Sequence, residues 1–144
     1  MSHKKKEAIA VVGLGGCFPG ATDVQSFWEN IVAGHVAISS VPVERWDPRL
    51  FYSTDRQAPE KTYSQIGGFI EKVRFDPKKF RIPPKSLESV DDIQKLALSA
   101  VADALDDAGL EVFGGKTPKG PGQRPFDRDR TAVILGNSMG GEFE

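Results

Sequence analysis

Two small groups of residues in this chain could do chemistry. The first is Gly13-Leu14-Gly15-Gly16-Cys17-Phe18-Pro19-Gly20, four glycines around the only cysteine in 144 residues. The second is Gly136-Asn137-Ser138-Met139-Gly140-Gly141 near the C-terminus. A Gly-rich turn after a strand can cradle phosphate, because backbone N–H groups converge where no side chain intrudes. The dinucleotide fingerprint G-x-G-x-x-G is met at Gly13 and Gly15, but Phe18 stands at the sixth position. The P-loop spacing is met by Gly15 and Gly20, but Ala21 stands where the phosphate-binding lysine is required. The structural reading is therefore favoured: glycines for a tight turn beside closely packed backbone.

Cys17 becomes a nucleophile only beside an activating base or with a lowered pKa. The two histidines are His3, in the leader, and His35, just past the first helix. Neither stands in a context that marks it as a partner, and His35 reads as a helix-end residue. A cysteine next to Phe18 and Pro19 reads as a small buried hydrophobe. Ser138 matches G-x-S-x-G in letters and follows an apolar run, as a nucleophile elbow would. No triad Asp or His is recognisable with it, so a hydrolase is a minor alternative. One cysteine excludes an internal disulfide, and one Cys with two His does not make a Cys/His zinc site.

The elements that must hold these residues can be read from apolar spacing. Ala8-Ile9-Ala10-Val11-Val12 and Thr131-Ala132-Val133-Ile134-Leu135 read as short buried strands. Between them, Thr22 or Asp23 caps a helix whose face is Val24, Phe27, Trp28, Ile31 and Val32, closed by Gly34. A second helix over 89–109 opens on Ser89-Val90-Asp91-Asp92. Its face is Ile93, Leu96, Ala97, Ala100, Val101, Ala104, Leu105 and Ala108, and Gly109 ends it. The small residues on that face predict close packing against another element. Residues 36–66 form a long excursion with prolines and with Trp46, Phe51, Tyr52 and Tyr63, which predict packing rather than disorder. Gly67-Gly68-Phe69-Ile70 reads as a turn into a short strand. Residues 111–129 are Gly/Pro-rich and read as a mobile loop. Apolar strands alternating with helices give an α/β class with a parallel component.

Composition narrows the function. Hydrophobic residues make up 39% and charged residues 27%, a globular balance, and the net charge of −1 argues against a general nucleic-acid binder. No apolar run reaches membrane-spanning length. Residues 1–7, with Lys4-Lys5-Lys6, read as a basic leader rather than a signal peptide. The cytoplasm is the expected compartment.

Taken in order, the segments IAVVGLGGCFPGA (9–21), SFWENIVAG (26–34), VPVERWDP (41–48), APEKTYSQIGGFI (58–70), FDPKKF (75–80) and VDDIQKLALSAVADALDDAGL (90–110) resemble the start of a β-ketoacyl synthase domain. The resemblance is to the modular, type I-like polyketide and fatty-acid synthases, and it runs from about Ala8 to Gly141. Cys17-Phe18-Pro19-Gly20 matches the family's first-strand turn, and Arg45-Trp46-Asp47 its Arg-Trp-Asp block. Asp91 and Gln94 keep two positions of its Asp-Pro-Gln-Gln-Arg helix start. Phe80-Arg81-Ile82-Pro83-Pro84 replaces Phe-Gly-Ile-Ser-Pro. That variant, with KTYSQIGGFI, Gly136-Asn137 and Gly141-Glu142, is most similar to ketosynthases of polyunsaturated-fatty-acid and related iterative lipid synthases.

The resemblance implies a thiolase-like fold of two α/β halves. Residues 8–144 would be the N-terminal part of the first half, an incomplete α/β fold. It implies a decarboxylative Claisen condensation: an acyl chain sits on a cysteine thioester, and malonyl on a phosphopantetheine arm loses CO2 and attacks the thioester carbonyl, expelling the thiolate. The implied partners are an acyl carrier protein bearing the phosphopantetheine, adjacent synthase domains such as the acyltransferase, the rest of the ketosynthase domain, and a second copy in a homodimer. The family's nucleophile lies in an Asp-x-Ala-Cys-Ser block, which this chain lacks, and its two catalytic histidines have no match here. The expectation is thus no catalytic, cofactor-binding or metal residue within 1–144, and a fragment inactive alone. The competing readings are a stand-alone interaction module reusing this part of the fold, or a nucleotide-binding or Ser-hydrolase domain.

Overall fold

The structure, a computed structural model, describes residues 8–71, 73–111, 124–125 and 127–137, with 111, 124 and 125 described by backbone alone. The basic leader 1–7, most of the 111–129 loop, and Ser138, Gly140, Gly141 and Glu142 lie outside the described residues. Two compact units are present, Cys17–Val73 and a second drawn from Met1–Gly16 and Arg74–Glu144.

In the Cys17–Val73 unit, α1 spans Val24–Val32. Of the two candidate caps, Asp23 takes the role: its Oδ1 accepts from Ser26 N at 2.8 Å and from Ser26 Oγ at 2.8 Å. This satisfies one of the N–H groups that a helix start leaves without a partner. The helix ends at Ala33, and Gly34 follows with a left-handed φ of 66°. Strand β1 (Ser39–Ser40) pairs antiparallel with β2 (Ile66–Gly67), in register Ser39 with Gly67 and Ser40 with Ile66. Val41 N donating to Gln65 O extends the pairing, and Val41 is buried. Between these strands lies a one-turn helix, α2 (Pro48–Phe51), and an isolated bridge joins Tyr52 to Thr62. The excursion is therefore ordered, but its aromatic residues are not enclosed: Trp46 and Tyr52 are half-buried, and Phe51 and Tyr63 are exposed.

The other unit is organised around α4 (Asp92–Asp107). Asp91, not Ser89, is its cap, accepting from Ile93 N at 2.9 Å. Its only buried helical residue is Ala102, and Ala108, at the C-terminal cap, is also buried. A one-turn helix, α3 (Pro84–Leu87), precedes it. Strand β3 (Leu110–Glu111) follows and pairs in parallel with β4 (Arg124–Pro125), inside the stretch expected as loop.

Two expectations are corrected here. Residues 8–12 and 131–135 are not strands, and they are not buried: Ile9 is 97% and Ile134 92% exposed. An all-apolar strand is stable when neighbours pair both edges and layers cover both faces. Among the described residues neither segment has a pairing strand. The face of α1 is likewise exposed, with Trp28 at 59% and Val32 at 70%. Helix periodicity located the element; it did not supply the layer that would cover it.

Candidate functional site

The Gly-rich segment is the natural place to look for chemistry, and its first half is held by α4. A Cβ on Gly13 would sit 2.2 Å from the Ala104 carbonyl oxygen and 2.8 Å from the Ala108 Cβ. A Cβ on Gly15 would sit 2.3 Å from the Ala100 oxygen and 2.4 Å from the Ala104 nitrogen. Ala100, Ala104 and Ala108 recur every four residues, so they form one ridge of the helix. Glycine on one side and alanine on the other let two backbones touch. Leu14 N, between the two glycines, donates to Asp107 Oδ2 at 2.8 Å. A phosphate cradle needs converging N–H groups and positive potential. Here the glycine faces are filled by helix backbone, and the nearest formal charge on the turn is a carboxylate.

The second half, Cys17 to Ala21, is a tight turn in the other unit. Phe18 N donates to Ala21 O at 2.8 Å and Ala21 N to Phe18 O at 3.0 Å. Pro19 and Gly20 occupy the two central positions, and Gly20 has φ of 71°. Proline then left-handed glycine is the signature of a type II turn, where an L side chain at the second centre would be strained. Three contacts fix the turn. Asn30 of α1 donates from Nδ2 to Gly20 O at 2.9 Å. The Phe18 and Phe27 rings stack at 4.1 Å between centroids. The Pro19 ring lies against Gly68, 2.9 Å from where a Cβ would stand. Cys17 enters this turn half-buried.

The Arg45-Trp46-Asp47 block is also structural in its geometry. An Arg45 guanidinium nitrogen donates to Ile70 O at 3.1 Å, tying the excursion to the strand exit. Trp46 meets Phe51 edge-on, with centroids 6.2 Å apart. Asp47 caps α2 through Arg49 N at 2.9 Å and forms an ion pair with the Arg49 guanidinium at 2.6 Å. The hydrogen bonds from the Arg49 side chain, then the backbone bond from Arg49 N, hold the Asp47 carboxyl below its usual range.

Two concave surfaces lie beside α4: one of about 370 Å³ lined by Leu105, Leu110, Asp127, Arg130 and Thr131, and a groove of about 270 Å³ between residues 74–80 and a second face of the helix. Phe75 and Phe80 stack on each other there at 5.1 Å. Lys79 pairs with Asp106 at 2.8 Å, and Ser99 Oγ donates to Arg74 O at 2.6 Å. Ser99 thus serves as a strut between helix and loop. No nucleophile and base are brought into a reacting pair by these bonds. Among the described residues, no group of three or more His, Cys, Asp or Glu could hold a metal ion. No described helix is long and apolar enough to cross a membrane.

Of the residues singled out from sequence, Gly13, Gly15, Cys17 and Gly20 are placed as parts of a packed turn. His35 donates its backbone N–H to Asn30 O at 2.8 Å, a helix-end role. Ser138 is outside the described residues. Sequence reasoning missed Asn30, Asp107 and Ser99. Asp107 did carry a signal: an acidic residue in the last turn of a helix opposes the helix dipole and therefore asks for a specific partner.

Comparison with known proteins agrees with the residue blocks. The model of the β-ketoacyl synthase N-terminal domain matches residues 6–144. Polyketide synthase ThaQ of Burkholderia thailandensis is 45% identical over 72% of this chain and 5% of its own length. Polyketide synthase PksL of Bacillus subtilis is 38% identical over 74% of this chain and 2% of its own. Among solved structures, the ketosynthase from module 6 of the bacillaene synthase of Bacillus subtilis 168 is similar with a TM-score of 0.63 and 33% identity, over 73% of this chain and 17% of that one. The oxazolomycin ketosynthase domain of Streptomyces albus JA3453 gives 0.63 and 37%, over 70% of this chain and 18% of that one. The chain thus spans only a small part of the proteins it matches.

Proposed function

Because the chain belongs to the β-ketoacyl synthase N-terminal domain family, we propose that it supplies the first part of a ketosynthase domain that elongates an acyl chain by decarboxylative Claisen condensation. Its relatives named above are polyketide synthases, which favours a polyketide over a polyunsaturated-fatty-acid pathway. The substrates would be an acyl thioester and a malonyl group on the phosphopantetheine arm of an acyl carrier protein. The partners would be that carrier protein, neighbouring synthase domains such as the acyltransferase, the remainder of the ketosynthase and a second copy, in the cytoplasm.

Residues 1–144 contribute scaffold to this reaction, not nucleophile, cofactor ligand or metal ligand. The observation that carries this reading is the closure of the Gly-rich segment. Gly13 and Gly15 abut α4 backbone. Leu14 N is engaged by Asp107, and Cys17 opens a turn clamped by Asn30 and Phe27.

The test is a chimera in which this chain replaces the matched region of the bacillaene module 6 ketosynthase. The chimera should load an acyl group and condense it with malonyl on a carrier protein, while the 144-residue chain does neither. A chimera that folds but neither loads nor condenses would defeat the assignment.

A further inference from the structure

The last turn of α4 carries Asp106 and Asp107 and no basic residue. Two carboxylates therefore stand at the negative end of the helix dipole, where each is unfavourable unless something offsets it. Each is engaged by a different segment. Asp107 Oδ2 accepts from Leu14 N at 2.8 Å, and Asp106 Oδ2 accepts from Lys79 Nζ at 2.8 Å. The two bonds continue two neighbouring ridges of the helix. Ala100, Ala104 and Ala108 abut Gly13 and Gly15. Ser99, Ala102 and Asp103 line the groove against residues 74–80, and Ser99 Oγ donates to Arg74 O at 2.6 Å.

Both engaged segments are points where the chain leaves or re-enters this unit. It leaves at Gly16 and returns at Arg74, and Cys17–Val73 form the other compact unit. We infer that the last turn of α4 is a two-sided latch: Asp107 holds the outgoing segment, Asp106 holds the returning one, and each bond keeps the turn wound for the other. The coupling follows from electrostatics. When Lys79 is withdrawn, Asp106 opposes the dipole, the turn frays, and Asp107 no longer meets Leu14. The ion pair is not a strong fastener by itself, because the Asp106 side chain is 61% exposed. Its effect lies in keeping the turn helical. With both segments fixed to one helix, the ends of residues 17–73 are held together, which lowers the entropic cost of ordering the stretch between them. Lys79, Asp106 and Asp107 are thus positioning residues, and the latch does not depend on the function proposed above.

Amide exchange of the 144-residue chain, read by NMR at Leu14, tests the latch, with Ile93 at the opposite end of α4 as reference. Lys79→Met should speed exchange at Leu14 about threefold, the effect of one unopposed charge at a helix end, and leave Ile93 as it is. Lys79→Arg keeps the cation and should match the parent. Neutralising the stranded charge should undo the loss, so Lys79→Met combined with Asp106→Asn should return Leu14 to the parent rate. Asp107→Ala removes the acceptor itself, and Asp106→Asn should not restore that variant. An unchanged Leu14 in Lys79→Met would overturn the inference. So would equal acceleration of Leu14 and Ile93, which marks general unfolding, or a double variant as fast as Lys79→Met alone.

Discussion

At the scale of single residues, the glycines of this chain serve two different physical needs. Gly13 and Gly15 are glycine because helix backbone occupies the place of a side chain. Gly34 is glycine because its φ is 66°; nothing lies within 4 Å of its missing Cβ. The costs of substitution should separate accordingly. Gly15→Ala forces α4 and the turn apart and should cost about 3 kcal/mol or more. Gly34→Ala meets only backbone strain and should cost roughly 1–2 kcal/mol. Urea unfolding followed by far-ultraviolet circular dichroism measures both, and equal losses would refute the close-approach account. Asp47 gives a prediction in pH. Its carboxyl titrates below the ordinary value of about 3.9 because Arg49 bonds the charged form. The folded state therefore binds that proton less readily than the unfolded chain does. The resulting stabilisation is complete above the unfolded value and fades as pH falls through the lowered folded one. Arg49→Gln should raise the Asp47 titration midpoint toward the ordinary value, read by carboxyl carbon NMR, and an unchanged midpoint would contradict the pairing.

At the scale of elements, the two long helices were legible, while the one-turn helices α2 and α3 and the strands were not. The helix signals are local: Asp23 and Asp91 start the helices, Gly34 and Gly109 follow their ends, and the apolar spacing fills the middle. Each is satisfied by atoms within a few residues, so sequence suffices. Asp91→Ala should therefore cost about 1 kcal/mol of stability and fray the first turn of α4. Faster amide exchange at Ile93 with little change at Ala102 would show it. The stretches at 8–12 and 131–135 depend on distant neighbours, because a strand is completed by what pairs with it. Their composition reports what they need, not whether it is at hand. The small-residue ridge Ala100, Ala104 and Ala108 was legible as a packing face, and the structure supplies its partner in Gly13 and Gly15. The partner itself could not be read, since nothing in a run of alanines specifies which backbone will approach. Asp107 shows the same limit at one residue, because its misfit with the helix dipole is visible and its bond to Leu14 N is not.

At the scale of the whole molecule, the described residues bury little. Ala21, Val41, Ala102 and Ala108 are the buried apolar side chains, and twenty larger apolar residues remain exposed. Small buried residues and large exposed ones invert the usual order of a globular core. The inversion fits a scaffold whose covering layers are supplied by the rest of a ketosynthase. The 144-residue chain should accordingly bind a hydrophobic dye such as ANS strongly, and the chimera weakly. The central claim is that this scaffold positions a condensing domain without lending it a nucleophile, although its one cysteine sits in the most suggestive turn of the chain. The most direct measurement is the intact mass of the Cys17→Ser chimera after incubation with an acyl thioester. One acyl group per chain, loaded as in the unsubstituted chimera, is the result expected. Loss of loading with the fold retained would make Cys17 part of the chemistry and contradict the account.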